Sequence, residues 1–175
     1  MMRVARIILG YVVSFTVFAL AIPAAVIALG GGVDDVLGWR RSAMWPVNVV
    51  AAALLGAPGL TWMAWSWWFL LTRGRGHPTE AFGVEVSPVT RRVVSDGPYA
   101  RTRNPMVFGY FMVLLAIAAF YGSAGMVVAV AAPSLIGWVN IVFFEEPRLE
   151  RRFGDAYREY KRRVPRFVPS LRRGR

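Results

Sequence analysis

The chain has 175 residues, a formal net charge of +11, 56% hydrophobic residues and a mean hydropathy of +0.44, one domain's length and too apolar for an ordinary soluble domain. It contains no Cys, which excludes disulfides, Cys-ligated metals and Cys nucleophiles. Its single His, His77, argues against a His-built zinc site or a Ser-His-Asp triad.

Val4 to Leu29 is an apolar run whose one charge is Arg6, near its start, and about 20 apolar residues cross a bilayer. Arg3 and Arg6 resemble the start of a signal peptide, but the apolar run exceeds the roughly 7–15 residues of a signal core. Gly30-Gly31-Gly32 should end this first span, leaving Asp34, Asp35, Arg40 and Arg41 in a polar loop. A second span runs from Ala43 to Leu71, with Pro58 expected to kink or break it. Its end is rich in Trp62, Trp65, Trp67 and Trp68. These fit an aromatic belt at the membrane interface, or the wall of a site for a lipid-like substrate. Residues 72–104 are polar and contain no span; connections this long are usually functional or disordered. His77 lies here, and its ordinary reading is a solvated loop side chain.

Met106–Tyr121 and Met126–Phe144 are two further apolar runs joined by "GSAG" at 122–125, which predicts a tight helical hairpin. Glu146, Glu150, Phe153, Tyr157 and Tyr160 then follow a helical spacing, as in an amphipathic helix on the membrane surface that stops near Val164-Pro165. The expected fold is therefore an all-α integral membrane protein: about four transmembrane helices, a cytoplasmic loop and a C-terminal amphipathic helix. Residues 1–71 would supply two spans. Residues 72–175 would form a catalytic region around the hairpin 105–144.

Four spans place both termini and the 72–104 loop on one side. That side holds nineteen of the 21 Lys and Arg residues, against Arg40 and Arg41 on the other. Cytoplasmic segments carry such an excess, so loop and tail are expected on the cytoplasmic face of the inner membrane. The basic charge reads as topology and attraction to anionic headgroups, and no base-reading module for nucleic acid is visible.

The segment "RTRNP" brings Arg101 and Arg103 to the start of the third span. Asn104 should cap that helix and Pro105 should open it. Free N–H groups and the helix dipole then favour an anion, although plain capping with snorkelling arginines would look the same. Glu145 and Glu146 stand at the boundary of the fourth span, where carboxylates need a partner. Arg148 and Arg151 could supply it, or a cationic ligand could. In a hairpin these two features are neighbours. A positive pole beside paired carboxylates suits a zwitterion such as the amino-acid headgroup of S-adenosylmethionine.

"GPYARTRNPMVFG" at 97–109, followed by "EEPRLERRFGDAYREYKRRVPRFVP" at 145–169, resembles the isoprenylcysteine carboxyl methyltransferase and phospholipid methyltransferase family of membrane enzymes. The resemblance covers residues 91–169, and "GRGHP" at 74–78 is a weaker echo. It implies an S-adenosylmethionine pocket facing the cytoplasm. Gly97, Pro98, Tyr99, Arg103, Asn104 and Pro105 would form one wall, and Glu145 with Glu146 would hold the cofactor from the other. Asn104 departs from the His of many members, Ala100 from a common Arg, and Val107-Phe108 from a common Tyr-Leu. An Asn can donate a hydrogen bond but takes no proton near neutral pH. The implied acceptor is a lipidic or prenylated small molecule. A carboxylate acceptor is already ionised at pH 7 and would be oriented by Arg148, Arg151 or Arg163. An amine acceptor would need Glu145 or Glu146 as base. A membrane reductase using a nicotinamide cofactor and a non-enzymatic membrane scaffold are the other two readings, although no glycine-rich dinucleotide turn is present.

Overall fold

The computed structural model describes residues 2–74, 80–81, 84–85, 90 and 92–170. His77 and the last basic residues, 172–175, lie outside the described residues. The protein is all-α and built of long apolar helices. In chain order these are α1 (Met2–Phe15), α2 (Ile22–Leu37), α3 (Trp45–Phe69), α4 (Pro105–Tyr121), α5 (Ala124–Ala129), α6 (Ala131–Val139), α7 (Glu146–Phe153) and α8 (Asp155–Arg163). A minimal antiparallel ladder pairs Glu80–Ala81 with Val84–Glu85. Wider π-helical turns link α1 to α2 and α6 to α7 and extend α3 to Gly74.

Three stretches are long and apolar enough to cross a membrane: Ile8–Leu37, Trp45–Gly74 and Ala124–Phe153, each of 30 residues. At about 1.5 Å per residue each is about 45 Å long, more than the hydrocarbon core, so tilt or protruding ends absorb the excess. The fourth apolar helix, α4, has 17 residues, near the lower limit for a span. Large apolar side chains cover the outside: Phe15 is 66% exposed and Leu54 70%. In water this surface would cost about 25 cal/mol per Å²; against lipid it costs nothing. This is an integral membrane protein.

The chain forms two compact units. One gathers Val13–Thr61 and Gly109–Ile136. Its core is Val26 of α2, Leu114 and Ala118 of α4, and Met126, Ala129 and Val130 around α5. Gly30 does not end the first span as expected. The helix continues through the glycines to Leu37 and stops at Gly38, whose φ of 65° is left-handed. The reason is contact. A Cβ on Gly30 would overlap the backbone of Met126, and one on Gly125 would overlap the carbonyl of Gly30. Small residues are kept where two membrane helices touch backbone to backbone.

The same contact relocates Asp34 from the expected polar loop to a buried position, 2% exposed. Its carboxylate accepts from Ser123 Oγ at 2.6 Å, Gly125 N–H at 2.7 Å and Arg41 Nε at 3.1 Å. Ser123 in turn caps α5 by accepting from Met126 N–H at 2.9 Å. The expected "GSAG" turn is thus present and tied down by an aspartate 89 residues earlier. Pro58 does not break α3, which passes through it.

The other unit gathers Met1–Val12, Trp62–Phe108 and Gly137–Arg175. Trp62 packs edge-on against Phe108 at 5.5 Å, while Trp67 and Trp68 are exposed as an interfacial belt requires. The expected surface helix is two helices, α7 and α8, divided at Gly154, where φ is 55°. Tyr157, Tyr160 and Val164 bury themselves against Val93, Leu149 and Phe153.

Candidate active site

The residues singled out around "RTRNP" and "EE" all belong to this second unit. Asn104 immediately precedes α4 and its carbonyl accepts from Phe108 N–H at 3.0 Å, as an N-cap does. Pro105 opens the helix and is fully buried. Pro98 and Tyr99 are buried in a single 3-10 turn, Gly97–Ala100. A side chain at Gly97 would overlap the ring of Phe69.

Glu145 and Glu146 do not end a helix. The fourth span runs on through both to Phe153, Glu145 closing a π-helical turn and Glu146 opening α7. Pro147 follows directly on the π-helical turn Asn140–Glu145, where the helix changes type. Glu146 lies inside this continuous helix, its own N–H donating to the Ile141 carbonyl, so its charge must be met by side chains.

Glu146 is 4% exposed and holds two arginines. Arg166 grips it with both teeth, Nε to Oε1 at 3.0 Å and Nη2 to Oε2 at 2.9 Å. Arg103 Nη1 lies 2.6 Å from Oε1. That approach is off-axis for a hydrogen bond, and Arg103 Nε has no hydrogen-bond partner among the described residues, although the side chain is only 9% exposed. So Arg103 does meet an anion, and the anion is the chain's own glutamate.

Arg166 was invisible to pairwise sequence reasoning, which offered Arg148 and Arg151 as partners for the glutamates. It stands 20 residues downstream of Glu146, inside the "RVPRF" stretch. The backbone explains how it arrives. Thr102 Oγ donates to the carbonyls of Arg166 and Phe167, both at 3.0 Å. Asn104 Nδ2 donates to the Arg166 carbonyl at 2.9 Å. Arg103 N–H donates to Pro165 O, and Ser170 N–H to Arg101 O, each at 2.8 Å. The tail is laced to the segment that starts α4.

A tyrosine layer supports this lacing. Tyr160 donates to the Tyr99 carbonyl at 2.8 Å. Burial pushes the hydroxyls of Tyr99, Tyr157 and Tyr160 well above the usual phenol range. The charge of Glu146 adds to the rise at Tyr157, and those of Tyr160 and Glu145 to the rise at Tyr99. All three stay protonated at neutral pH and are not bases. Arg166, bonded to Glu146, is held even more firmly protonated than a free arginine.

Beside Glu146 opens a cleft of about 420 Å³, lined by Val142, Glu146, Pro147, Glu150, Arg151, Arg158, Lys161 and Arg166. Small-molecule sites span about 300–1,000 Å³. Glu150 is taken by Arg158 at 3.0 Å and Lys161 at 2.8 Å. Of the three arginines considered for acceptor orientation, Arg151 lines the cleft and is exposed. Arg148 is half-buried. Arg163 is exposed and pairs with Glu159 at 3.4 Å, outside the cleft lining.

Residues 47–156 match the phospholipid methyltransferase family. The chain belongs to this family. It is also similar to methanethiol S-methyltransferase 2 of Bradyrhizobium diazoefficiens, 31% identical over an aligned length of 143, a match that covers 76% of this chain and 53% of that protein. The chain thus spans about half the length of this curated relative. No solved structure matches it. The family match includes Arg103, Asn104 and Glu146 and ends before Arg166.

Proposed function

We propose that this integral membrane protein is a methyltransferase, a reading favoured over a reductase or a scaffold by its family, and that it uses S-adenosylmethionine to methylate the carboxylate of a lipidic small molecule, in a site formed by residues 97–105, Glu145, Glu146 and the adjoining cleft. The observation that carries this is the buried Arg103–Glu146–Arg166 cluster beside a cleft of ligand size. Its donor set fits an amino-acid headgroup. The unpartnered Arg103 Nε–H suits a carboxylate. Glu146 Oε2 has one partner, Arg166, and keeps a lone pair for an ammonium or hydroxyl donor. Gly97, Pro98, Tyr99, Asn104 and Pro105 form the supporting wall.

When bound, S-adenosylmethionine supplies an already activated methyl group. The protein's task is then to align the acceptor and exclude water, and alignment alone supplies about 7–11 kcal/mol. Arg151, exposed and lining the cleft, is best placed of the three arginines to orient an acceptor carboxylate. A carboxylate needs no base. This agrees with a Glu146 whose carboxylate is already engaged by Arg103 and Arg166. The relative's name favours a second reading, a thiol acceptor, which must shed a proton from a pKa of about 8.5.

The test is calorimetric titration of the detergent-purified protein with S-adenosylmethionine. Saturable binding is expected, and about tenfold weaker binding by Asn104→Ala, which loses its grip on the Arg166 carbonyl. A folded sample that binds nothing refutes the cofactor assignment. Incubation with methyl-labelled cofactor then separates the acceptors: label in a lipid ester supports the first reading, label only on added methanethiol the second.

The charge asymmetry supports an orientation in the inner membrane with this site and both termini toward the cytoplasm. The chain has no Cys, so Val168→Cys, at a site 75% exposed, gives a single reporter. An impermeant thiol reagent should label it in inside-out vesicles and not in intact cells. Labelling in intact cells would reverse the orientation.

A further inference from the structure

We infer that Arg166 is a positioning residue of the methyl-transfer site, setting the Glu146 carboxylate for the cofactor; this rests on the functional reading above. Three features of the structure support it. The guanidinium holds both oxygens of a nearly fully buried carboxylate, a geometry that fixes the carboxylate's plane as well as its charge. The carbonyl of the same residue takes bonds from Thr102 and Asn104, so one tail residue ties α7 to the cap of α4. And Arg166 itself lines the cleft, where its 33% exposed side chain reaches whatever Glu146 holds.

These two attachments separate experimentally. The backbone lacing does not use the guanidinium: it runs through Thr102, Asn104, the Arg103 and Ser170 N–H groups and main-chain carbonyls. Arg166→Gln therefore removes the grip on Glu146 and leaves the tail docked. A purely structural tie would behave differently, releasing the tail when the ion pair is lost.

The experiment uses the full chain in detergent, with S-adenosylmethionine as probe and amide hydrogen exchange of the peptides containing Arg103 and Ser170 as the second readout. Arg166→Gln should keep wild-type protection in both peptides and bind at least tenfold more weakly. Arg166→Lys, which keeps the charge but not the two-toothed grip, should recover part of the loss. Wild-type affinity in Arg166→Gln overturns the proposal, and so does loss of protection in both peptides, which would make Arg166 a structural tie. If Arg166→Gln fails to fold, Arg166→Lys decides: a folded protein with tenfold weaker binding supports the assignment, and one with unchanged affinity overturns it. Absence of binding by the wild-type protein is a separate result, and it removes the functional reading and this assignment together.

Discussion

Glu146→Gln should both weaken cofactor binding by about a hundredfold and destabilise the protein by about 3–5 kcal/mol. The stability loss arises because removing one partner of a buried ion pair leaves the other charge stranded. The stranded charge is Arg103, only 9% exposed, rather than Arg166, which at 33% can turn toward water. The binding loss follows from a charge-assisted hydrogen bond to the ligand, worth about 1.5–3 kcal/mol or roughly ten- to a hundredfold. The two effects are separable. Adding Arg103→Met removes the stranded charge, and apolar replacement of a buried pair is often neutral or stabilising. The double variant should therefore regain most of the thermal stability in detergent while still failing to bind S-adenosylmethionine. Recovery of binding along with stability would show that Glu146 serves the fold alone.

Asp34→Ala should give the complementary result: a loss of about 3 kcal/mol in stability, with cofactor affinity of the folded fraction within about twofold of wild type. Asp34 satisfies the buried Gly125 N–H and Ser123 hydroxyl, and each group left without a partner costs about 1–3 kcal/mol. Arg41, whose side chain is 45% exposed, is rehydrated cheaply. Ser123→Ala should cost less, about 1 kcal/mol, since it removes a helix cap but leaves Asp34 bonded to Gly125 and Arg41. Neither residue lines the cleft. Thermal unfolding and titration of the same samples decide this. An Asp34→Ala protein as stable as wild type, or folded but unable to bind the cofactor, would contradict the structural role assigned to this carboxylate.

Two local readings from sequence failed for related reasons. The triple glycine was expected to end a helix, because an isolated helix gains nothing from glycine and pays about 1 kcal/mol for each. In the protein, Gly30 faces the backbone of Met126, and the contact that only a glycine permits outweighs that cost. Asp34, four residues on, was assigned to a water-facing loop; it is buried because its partners, Ser123 and Gly125, begin a helix some ninety residues away. Of the two outcomes expected at Pro58, a kink or a break, the break does not occur: α3 passes through it.

The amino-acid sequence by itself determined the membrane class, the hairpin after Asn104-Pro105, the stop near Val164 and the residues of the two motifs. Those properties reside in run length, turn chemistry and local caps, which neighbours along the chain decide. Only the tertiary structure decided that Arg103 turns to Glu146, that Arg166 completes the pair, and that the glutamates lie within a helix instead of at its end. Charge pairing and close packing depend on distance in space, and residues 43 and 20 positions apart have no fixed distance until the chain is folded.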